Sequence, residues 1–330
     1  MARVVIANGG MAGIMAAAAF VERGHNVVLI RHNGSEFSRG GLKYLHRTDA
    51  TEALLASRNV PYSVRDVRGK IVLSDFAVHD YPEYAALVPS DVVELAQRLH
   101  WMKTRKTIAG FQETCMNDPS KGKQQALVAD IDLLAETILS QVETVNGRIT
   151  HINHQRRLVE TDAGATFGYD VFITNMLPSE LDRCLNVVCD DPVVDWPKFR
   201  KVAVFRFPAN PCAGWDYAYT PWLPVIHRVS VGDGHIDAEL SILRGMDDKL
   251  DWLELLVRYD LGQLLIHTSL IETFHPVAKM KATMKGHLLP VEKQINYPDG
   301  IVPVGRFSCW DSRMTLDKVY ERSISVARNI

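Results

Sequence analysis

The first thirty residues of the chain form the pattern that most constrains its fold. Residues 4–7 are apolar and predict a short buried strand, and residues 14–23 are rich in alanine and predict a helix. Residues 27–30 are again apolar and predict a second strand. A strand, a helix and a strand in this order are typical of a βαβ unit, so we expect a parallel sheet and a fold of the α/β class.

The turn between the first strand and the helix is the chemically informative part of this unit. It has the sequence Asn8-Gly9-Gly10-Met11-Ala12-Gly13. Glycines let a pyrophosphate approach the backbone closely, and the start of a helix offers unpaired N–H groups to negative charge. The turn therefore predicts a dinucleotide site, although Asn8 replaces the first glycine of the usual pattern and adopts a left-handed turn less easily.

A second departure from the pattern lies at the end of the second strand, where the chain has Arg31. Dinucleotide sites usually have Asp or Glu here, because a carboxylate accepts hydrogen bonds from the adenosine ribose and a guanidinium cannot. Three alternatives stay open. Other groups hold the ribose, Arg31 faces a phosphate as in NADP sites, or the unit binds no cofactor.

The composition is that of an ordinary globular protein. Among 330 residues, 47% are hydrophobic and 23% charged, and the formal net charge of −2 gives no support to electrostatic capture of nucleic acid. The five cysteines are widely spaced and predict reduced thiols rather than disulfides or a zinc site. The sequence has neither a membrane-spanning run nor a signal-peptide pattern, so we expect a cytoplasmic protein, in the host cytoplasm if its source is viral.

The rest of the chain predicts both helices and short strands. Apolar residues at helical spacing predict helices at 51–58, 91–103, 131–142, 250–265 and 315–328, and residues 116–125 are polar and predict a loop. Strands are predicted at 147–152, 157–161, 166–167, 169–174, 201–207, 217–221, 225–230, 238–243 and 300–307, at the start of 268–284, and as a pair within 62–75 around a turn at Arg68-Gly69.

Four segments together resemble the superfamily of FAD-dependent amine oxidases and UDP-galactopyranose mutases, which includes protoporphyrinogen-oxidase-like proteins. They are the amino-terminal βαβ unit, Arg39-Gly40-Gly41, the strands that end at Thr174, and Gly305-Arg306-Phe307 with the helix that follows. The resemblance implies a Rossmann-like FAD-binding domain of the two-dinucleotide-binding-domain type, with an inserted, mainly antiparallel β substrate domain. The first domain would comprise residues 1–60, 125–185 and 290–330, and the second residues 61–124 and 186–289.

The resemblance also implies a tightly held FAD. Its pyrophosphate would lie at the glycine turn, its adenine at Ile149, and its ring near residues 42–48 and the start of the last helix. The residues implied at FAD are Gly9, Gly10, Met11, Ala12, Gly13, Arg31, Arg39, Gly40, Gly41, Ile149, Gly305, Arg306 and Met314. The alternative is that the glycine loop and the last helix only complete the domain and contact no cofactor.

Compact members of this superfamily include flavin-dependent lyases of bacterial viruses. Those enzymes act on amino-acid adducts of thymidine in DNA and cleave a C–N bond. We therefore expect an FAD-dependent enzyme that oxidises or cleaves a C–N bond of an amine or amino-acid adduct, with a small amine, a modified nucleotide or modified DNA as partner. The negative net charge counts mildly against a DNA substrate.

Catalysis on an amino acid needs a cation for the carboxylate and can use a base. Arg228, Arg306 and Lys43 are candidates for the cation, and His46, His227 and His287 can act as bases near neutral pH. We predict catalytic roles for His46, His227 and Arg228. Two alternatives remain: a nucleotide-sugar mutase, with Arg228 and Arg306 on a diphosphate, and a dinucleotide-binding protein without catalysis.

Overall fold

The computed structural model of this chain describes most of its residues. They are 1–7, 10–31, 44–72, 78–80, 123–176, 178–186, 200–211, 216–232, 234–242, 255–262, 271–274, 281–288, 296–305, 308–309 and 314–330. Within these ranges no helix is both long and apolar enough to cross a membrane. The predicted helix at 91–103 and most of the predicted loop at 116–125 lie outside them.

A five-stranded parallel sheet forms the first part of the fold. Its neighbouring strands are all parallel, as the βαβ pattern predicts. In order across the sheet they are β18 (Ile301–Pro303), β11 (Val171–Thr174), β1 (Arg3–Ala7), β2 (Asn26–Arg31) and β7 (Glu143–Asn146). The sequence does not predict β7, because it is short, polar and mostly exposed at the edge of the sheet.

The helix α1 (Met11–Val21) connects β1 to β2 and completes the βαβ unit. The predicted helix covers residues 14–23. The observed helix begins three residues earlier, at Met11, and ends two residues earlier, at Val21. Every residue from Gly13 to Phe20 is buried, because the alanines leave room for the neighbouring layers to pack closely. The earlier start puts Met11 and Ala12 in the first turn of the helix, beside the glycine turn.

Both faces of the parallel sheet are covered. Side chains alternate along each strand, so Val4 and Ile6 face one apolar layer, and Val5 and Ala7 face the other. The first layer contains the helices α1, α2 (Asp49–Ser57), α3 (Ile131–Leu139) and α6 (Leu316–Arg328). The second contains an antiparallel sheet of β8 (Ile149–Asn153), β9 (Leu158–Thr161) and β10 (Thr166–Gly168), and the helix α4 (Pro178–Leu185).

A second large sheet has ten strands and is mainly antiparallel. In order they are β16 (Ile271–Phe274), β12 (Arg200–Pro211), β15 (His235–Ile242), β14 (Ile226–Gly232), β13 (Tyr217–Tyr219), β4 (Tyr62–Val72), β6 (Lys123–Ala129) and β3 (Leu45–His46). Two further strands, β17 (Lys281–Leu288) and β5 (Val78–Asp80), pair with β12 and β4. The pairs are antiparallel apart from β4 with β13.

The helix α5, at residues 255–262, packs against the second sheet and fixes the turn before β14. The carboxylate of Asp260 accepts hydrogen bonds from the N–H groups of Val225 and Ile226, each at 2.8 Å. The guanidinium of Arg258 lies over the ring of Phe207, 5.7 Å from its centroid. These contacts hold α5 against the sheet.

Two predictions about strands are wrong. The chain does not turn at Arg68-Gly69, because β4 continues as one strand that pairs first with β6 and then, from Gly69, with β13. The predicted strand at 300–307 ends at Pro303, since a positive φ of 87° at Gly305 turns the chain away. Part of the predicted loop at 116–125 is also strand, because β6 begins at Lys123.

Candidate functional site

Backbone segments pack closely where β1, β11 and β18 end. Gly305 follows β18 with its positive φ, and a Cβ built on it would lie 3.1 Å from Cβ of Ala12 and 3.6 Å from Cβ of Asn175. A Cβ on Gly10 would lie 4.0 Å from Nδ2 of Asn175. We call the group of residues 10–13, Asn175 and Gly305 the glycine cradle.

The first turn of α1 supplies N–H groups to the glycine cradle. Gly10 caps the helix and provides no side-chain hydrogen bond, and the first helical bond runs from the Ile14 N–H to the Gly10 carbonyl at 3.1 Å. The N–H groups of Met11, Ala12 and Gly13 therefore have no acceptor within the helix. A helix start of this kind favours a phosphate group.

Several residues predicted to contact a cofactor meet in this cradle. They are Gly10, Met11, Ala12, Gly13 and Gly305. Met314 precedes α6 and packs against the apolar layer around α1, as Met11 and Ala12 do. The predicted residues Gly9, Arg39, Gly40, Gly41 and Arg306 lie outside the described ranges.

A cavity of about 500 Å³ lies at the carboxyl end of β2, and we call it the β2 cavity. Ile30, the predicted Ile149, Met176 and Cys184 form its apolar wall, and Arg148, Asp162, Glu180 and Arg183 supply charge. Arg31 is not among its lining residues; its carbonyl accepts the N–H of Gly147 at 2.7 Å in the pairing of β2 with β7. Burial raises the pKa of the Cys184 thiol, so it is protonated at neutral pH.

A smaller pocket of about 210 Å³ lies on the ten-stranded sheet, and we call it the sheet pocket. It is lined by residues of five strands and of the segments just before β3 and β13, which include Tyr44, Arg65, Asp216, Tyr217, Arg228 and His235. Arg65 and Asp216 form an ion pair, and Asp216 also accepts the N–H of Arg68 at 2.8 Å. The pocket therefore has charged and aromatic walls.

A β-bulge in β14 directs Arg228 toward Glu239. Ile226 pairs with Leu240 and Arg228 pairs with Glu239, so His227 is an extra residue in the strand. Nη2 of Arg228 donates to Oε1 of Glu239, while Nε2 of His227 lies 3.8 Å from Oε2 of the same carboxylate. Both neighbouring residues thus contact one buried acid.

The sheet pocket combines a fixed cation with a neutral phenol. Burial acts to lower the pKa of Arg228, but Glu239, Tyr219 and Tyr44 together outweigh burial and raise it. Burial also raises the pKa of Tyr44 above its ordinary value, so its hydroxyl keeps its proton at neutral pH. Nε of Arg228 is buried and has no hydrogen-bond partner within the part of the chain that the structure describes.

A second arginine–carboxylate pair lies two residues further along β15 in the same sheet. Arg206 in β12 holds Asp237 in β15 through two parallel bonds, Nε to Oδ1 at 2.8 Å and Nη2 to Oδ2 at 2.9 Å. The bond to Asp237 raises the pKa of Arg206, and Asp237 is fully buried. This fork geometry keeps β12 and β15 in register beside the Arg228–Glu239 pair.

The three predicted catalytic residues have different positions. Arg228 lines the sheet pocket, whereas His227 contacts the far oxygen of Glu239, and His46 in β3 has its ring centroid 6.4 Å from that of Tyr44. Sequence reasoning missed Tyr44 and Glu239. Two signals pointed to them: Tyr44 belongs to the segment 42–48 predicted near a flavin, and Glu239 lies with Asp237 on the polar face of a strand that alternates polar and apolar residues.

The fold is shared with solved structures, although no family model and no curated protein matches the sequence. An oxidoreductase from Methanosarcina mazei aligns at 10% identity over 99% of this chain and 100% of its own, with a TM-score of 0.65. Reduced UDP-galactopyranose mutase aligns at 12% identity over 100% and 93%, with a TM-score of 0.65. A redesigned putrescine oxidase aligns at 11% over 99% and 98%, with a TM-score of 0.63. These similarities confirm the mixed α/β fold.

Proposed function

We propose that this protein is an FAD-dependent enzyme that oxidises or cleaves a C–N bond of an amine or amino-acid adduct. The glycine cradle is the observation that carries the cofactor part of the proposal, because a side chain at Gly10 would extend into open space, with Nδ2 of Asn175 at 4.0 Å as its nearest neighbour. The shared fold with an oxidoreductase, a mutase and a putrescine oxidase supports the same class.

The residues of the cradle fit the negatively charged part of FAD. The N–H groups of Met11, Ala12 and Gly13 can donate to the pyrophosphate, and the helix dipole adds to their attraction. The β2 cavity lies at the carboxyl end of the same sheet and has the apolar wall that an adenine requires. When bound, FAD supplies an acceptor for a hydride from the carbon beside an amine nitrogen.

The sheet pocket suits the polar head of an amino acid. Arg228 is held in place by Glu239 and still has Nε without a partner in the described part of the chain, so it can donate to a carboxylate. Asp216 also lines this pocket, and its carboxylate, which Arg65 and the N–H of Arg68 hold in place, can accept from an ammonium group. Tyr44 joins this pocket to the segment that the resemblance puts near the flavin ring.

The finer proposal is a flavin-dependent lyase acting on an amino-acid adduct of thymidine in phage DNA. The aromatic side chains of Tyr44 and Tyr217 give the sheet pocket walls against which a planar base can pack. His227, which contacts Glu239, and His46, which lies beside Tyr44, would serve as proton carriers. This substrate rests on the resemblance to compact viral enzymes.

The visible absorption spectrum of the purified protein tests the cofactor. We expect a flavin spectrum near one equivalent that stays in the supernatant after heat denaturation. Gly10→Val should lower the flavin content at least about tenfold, because the added side chain occupies the cradle, while Gly262→Ala, with no atom within 4 Å, should not. A colourless protein that does not take up added FAD would refute the enzyme proposal and leave the dinucleotide-binding alternative.

A pair of substrates tests the role of Arg228. We expect Arg228→Lys to raise KM for an amino acid roughly 10- to 100-fold, because lysine keeps the charge but loses the planar fork. The decarboxylated amine should be affected much less. Equal losses for both compounds would show that Arg228 only supports the fold.

The mutase alternative is favoured by one observation, the full-length similarity to reduced UDP-galactopyranose mutase. A mutase would need its arginines on a diphosphate, and in addition to the predicted Arg306 the sheet pocket is lined by Arg228 and Arg65, each already paired with a carboxylate. Turnover of a nucleotide sugar only after reduction of the flavin would establish this function. Peroxide or an aldehyde released from an amine would establish the first.

A further inference from the structure

The chain needs a hydrogen-bond acceptor for the adenosine ribose that the end of β2 does not supply. Arg31 has a guanidinium that only donates, and its carbonyl oxygen already accepts the N–H of Gly147 at 2.7 Å. Among the residues that the structure describes, an acceptor for the ribose hydroxyls therefore has to come from another element near the carboxyl end of β2.

The β2 cavity contains two carboxylates, and they differ in how they are used. Oδ1 of Asp162 accepts the N–H of Arg148 at 2.8 Å, so this side chain holds the turn that leads into β8. Glu180 lies in the first turn of α4, is half-buried, and makes no hydrogen bond to any residue in the described ranges. Of the two, Glu180 is the one with both carboxylate oxygens available to a ligand within the described part of the chain.

The apolar side chains line the same cavity as Glu180. Ile30 and Ile149 are 1% and 6% exposed and Met176 is 9% exposed, so the side chains of this wall are packed into the core. A purine ring can bury its faces against such a wall, while the sugar attached to it needs polar partners at the rim. The lining provides both kinds of contact within about 500 Å³.

We propose that the β2 cavity binds the adenosine moiety of the dinucleotide and that Glu180 accepts the hydrogen bonds of its ribose hydroxyls. This inference rests on the proposed function, because it takes FAD as the ligand. The acidic group that other dinucleotide sites carry at the end of β2 is thus replaced by one from α4. Arg31 then has no role in holding the ribose.

The test compares FAD with its analogue made from 2′-deoxyadenosine, using protein freed of bound flavin. Loss of a hydrogen bond to a charged group should make the analogue bind roughly tenfold more weakly to the wild type. Glu180→Ala should bind FAD at least about tenfold more weakly and should no longer distinguish the two compounds. Glu160→Ala, an exposed glutamate on β9, serves as the matched control and should keep the preference.

Two outcomes overturn the inference in different ways. If the wild type binds FAD tightly and Glu180→Ala keeps the preference for the ribose hydroxyl, Glu180 is not its acceptor, although the proposed function stands. If the wild type binds neither FAD nor its analogue, the proposed function falls as well.

A second measurement does not depend on any variant. Cys184 is 7% exposed and its thiol donates to the carbonyl of Ile149 at 3.5 Å inside the cavity. Slow alkylation of Cys184 by iodoacetamide, followed by mass spectrometry, should be suppressed at least about tenfold by saturating FAD but not by FMN, which lacks the adenosine. Equal rates of modification with and without FAD would show that the adenosine lies elsewhere.

Discussion

Gly305 is the single residue on which the shape of the glycine cradle depends most. We predict that Gly305→Ala lowers the free energy of unfolding by about 1–3 kcal/mol, because it puts a side chain at a positive φ and 3.1 Å from Cβ of Ala12. Urea denaturation measures the change. Gly262→Ala has neither constraint and should be at least as stable as the wild type; an equal loss in both variants would contradict the argument.

Tyr320 links stability to alkaline pH. Its hydroxyl donates to Oε2 of Glu22 at 2.5 Å, and burial together with this bond raises its pKa above the ordinary value near 10. The stabilisation is complete below that ordinary value and is lost as the pH rises above it, by up to about 1.4 kcal/mol per pH unit. Tyr320→Phe should flatten the pH dependence of urea unfolding above roughly pH 10; a profile parallel to the wild type would contradict this.

At the scale of elements, the bulged pair of β14 and β15 is the most sensitive junction. We predict that Glu239→Gln lowers the free energy of unfolding by about 3 kcal/mol or more, because Arg228 is then left without its buried counter-charge. Glu160→Gln, exposed on β9, should change stability by less than about 0.5 kcal/mol. Thermal and urea unfolding of both variants provide the comparison, and equal small effects would show that the pair is not needed.

The elements that the sequence predicts correctly are those with strong local patterns. β1, α1 and β2 follow from two apolar runs and an alanine-rich stretch, so their existence needs no information from the rest of the chain. β4 was predicted as two strands because Gly69 signals a turn locally, whereas pairing with β13 keeps the strand straight. β7 has no apolar pattern, and it forms a strand through its parallel pairing with β2.

Binding of FAD as proposed should stabilise the whole molecule. If FAD binds the glycine cradle and the β2 cavity, it stabilises the folded state by about 2.7 kcal/mol at a free concentration one hundred times Kd. We therefore predict a rise in Tm of several degrees with added FAD, measured by differential scanning calorimetry. Gly10→Val should show no such rise. A Tm of the wild type that does not change when FAD is added would contradict the proposal.

The candidate site was predictable from the sequence only where it is built from neighbours in the chain. Gly10 to Gly13 form their part of the cradle within one turn, and their pattern is visible without a structure. The sheet pocket gathers Tyr44, Arg65, Asp216 and Arg228 from distant segments, and strand pairing alone brings them together. Local patterns carry no information about such pairing.

The order of strands in the parallel sheet has a consequence for synthesis on the ribosome. β1 lies between β2 and β11, β11 pairs with β18, and α6 packs against α1. The first strands to emerge therefore wait for residues 301–328 before their sheet and helix layer are complete, and apolar edges stay open during that time. A nascent chain that stalls before residue 301 should bind chaperones preferentially, because its parallel sheet still lacks β18 and its helix layer still lacks α6.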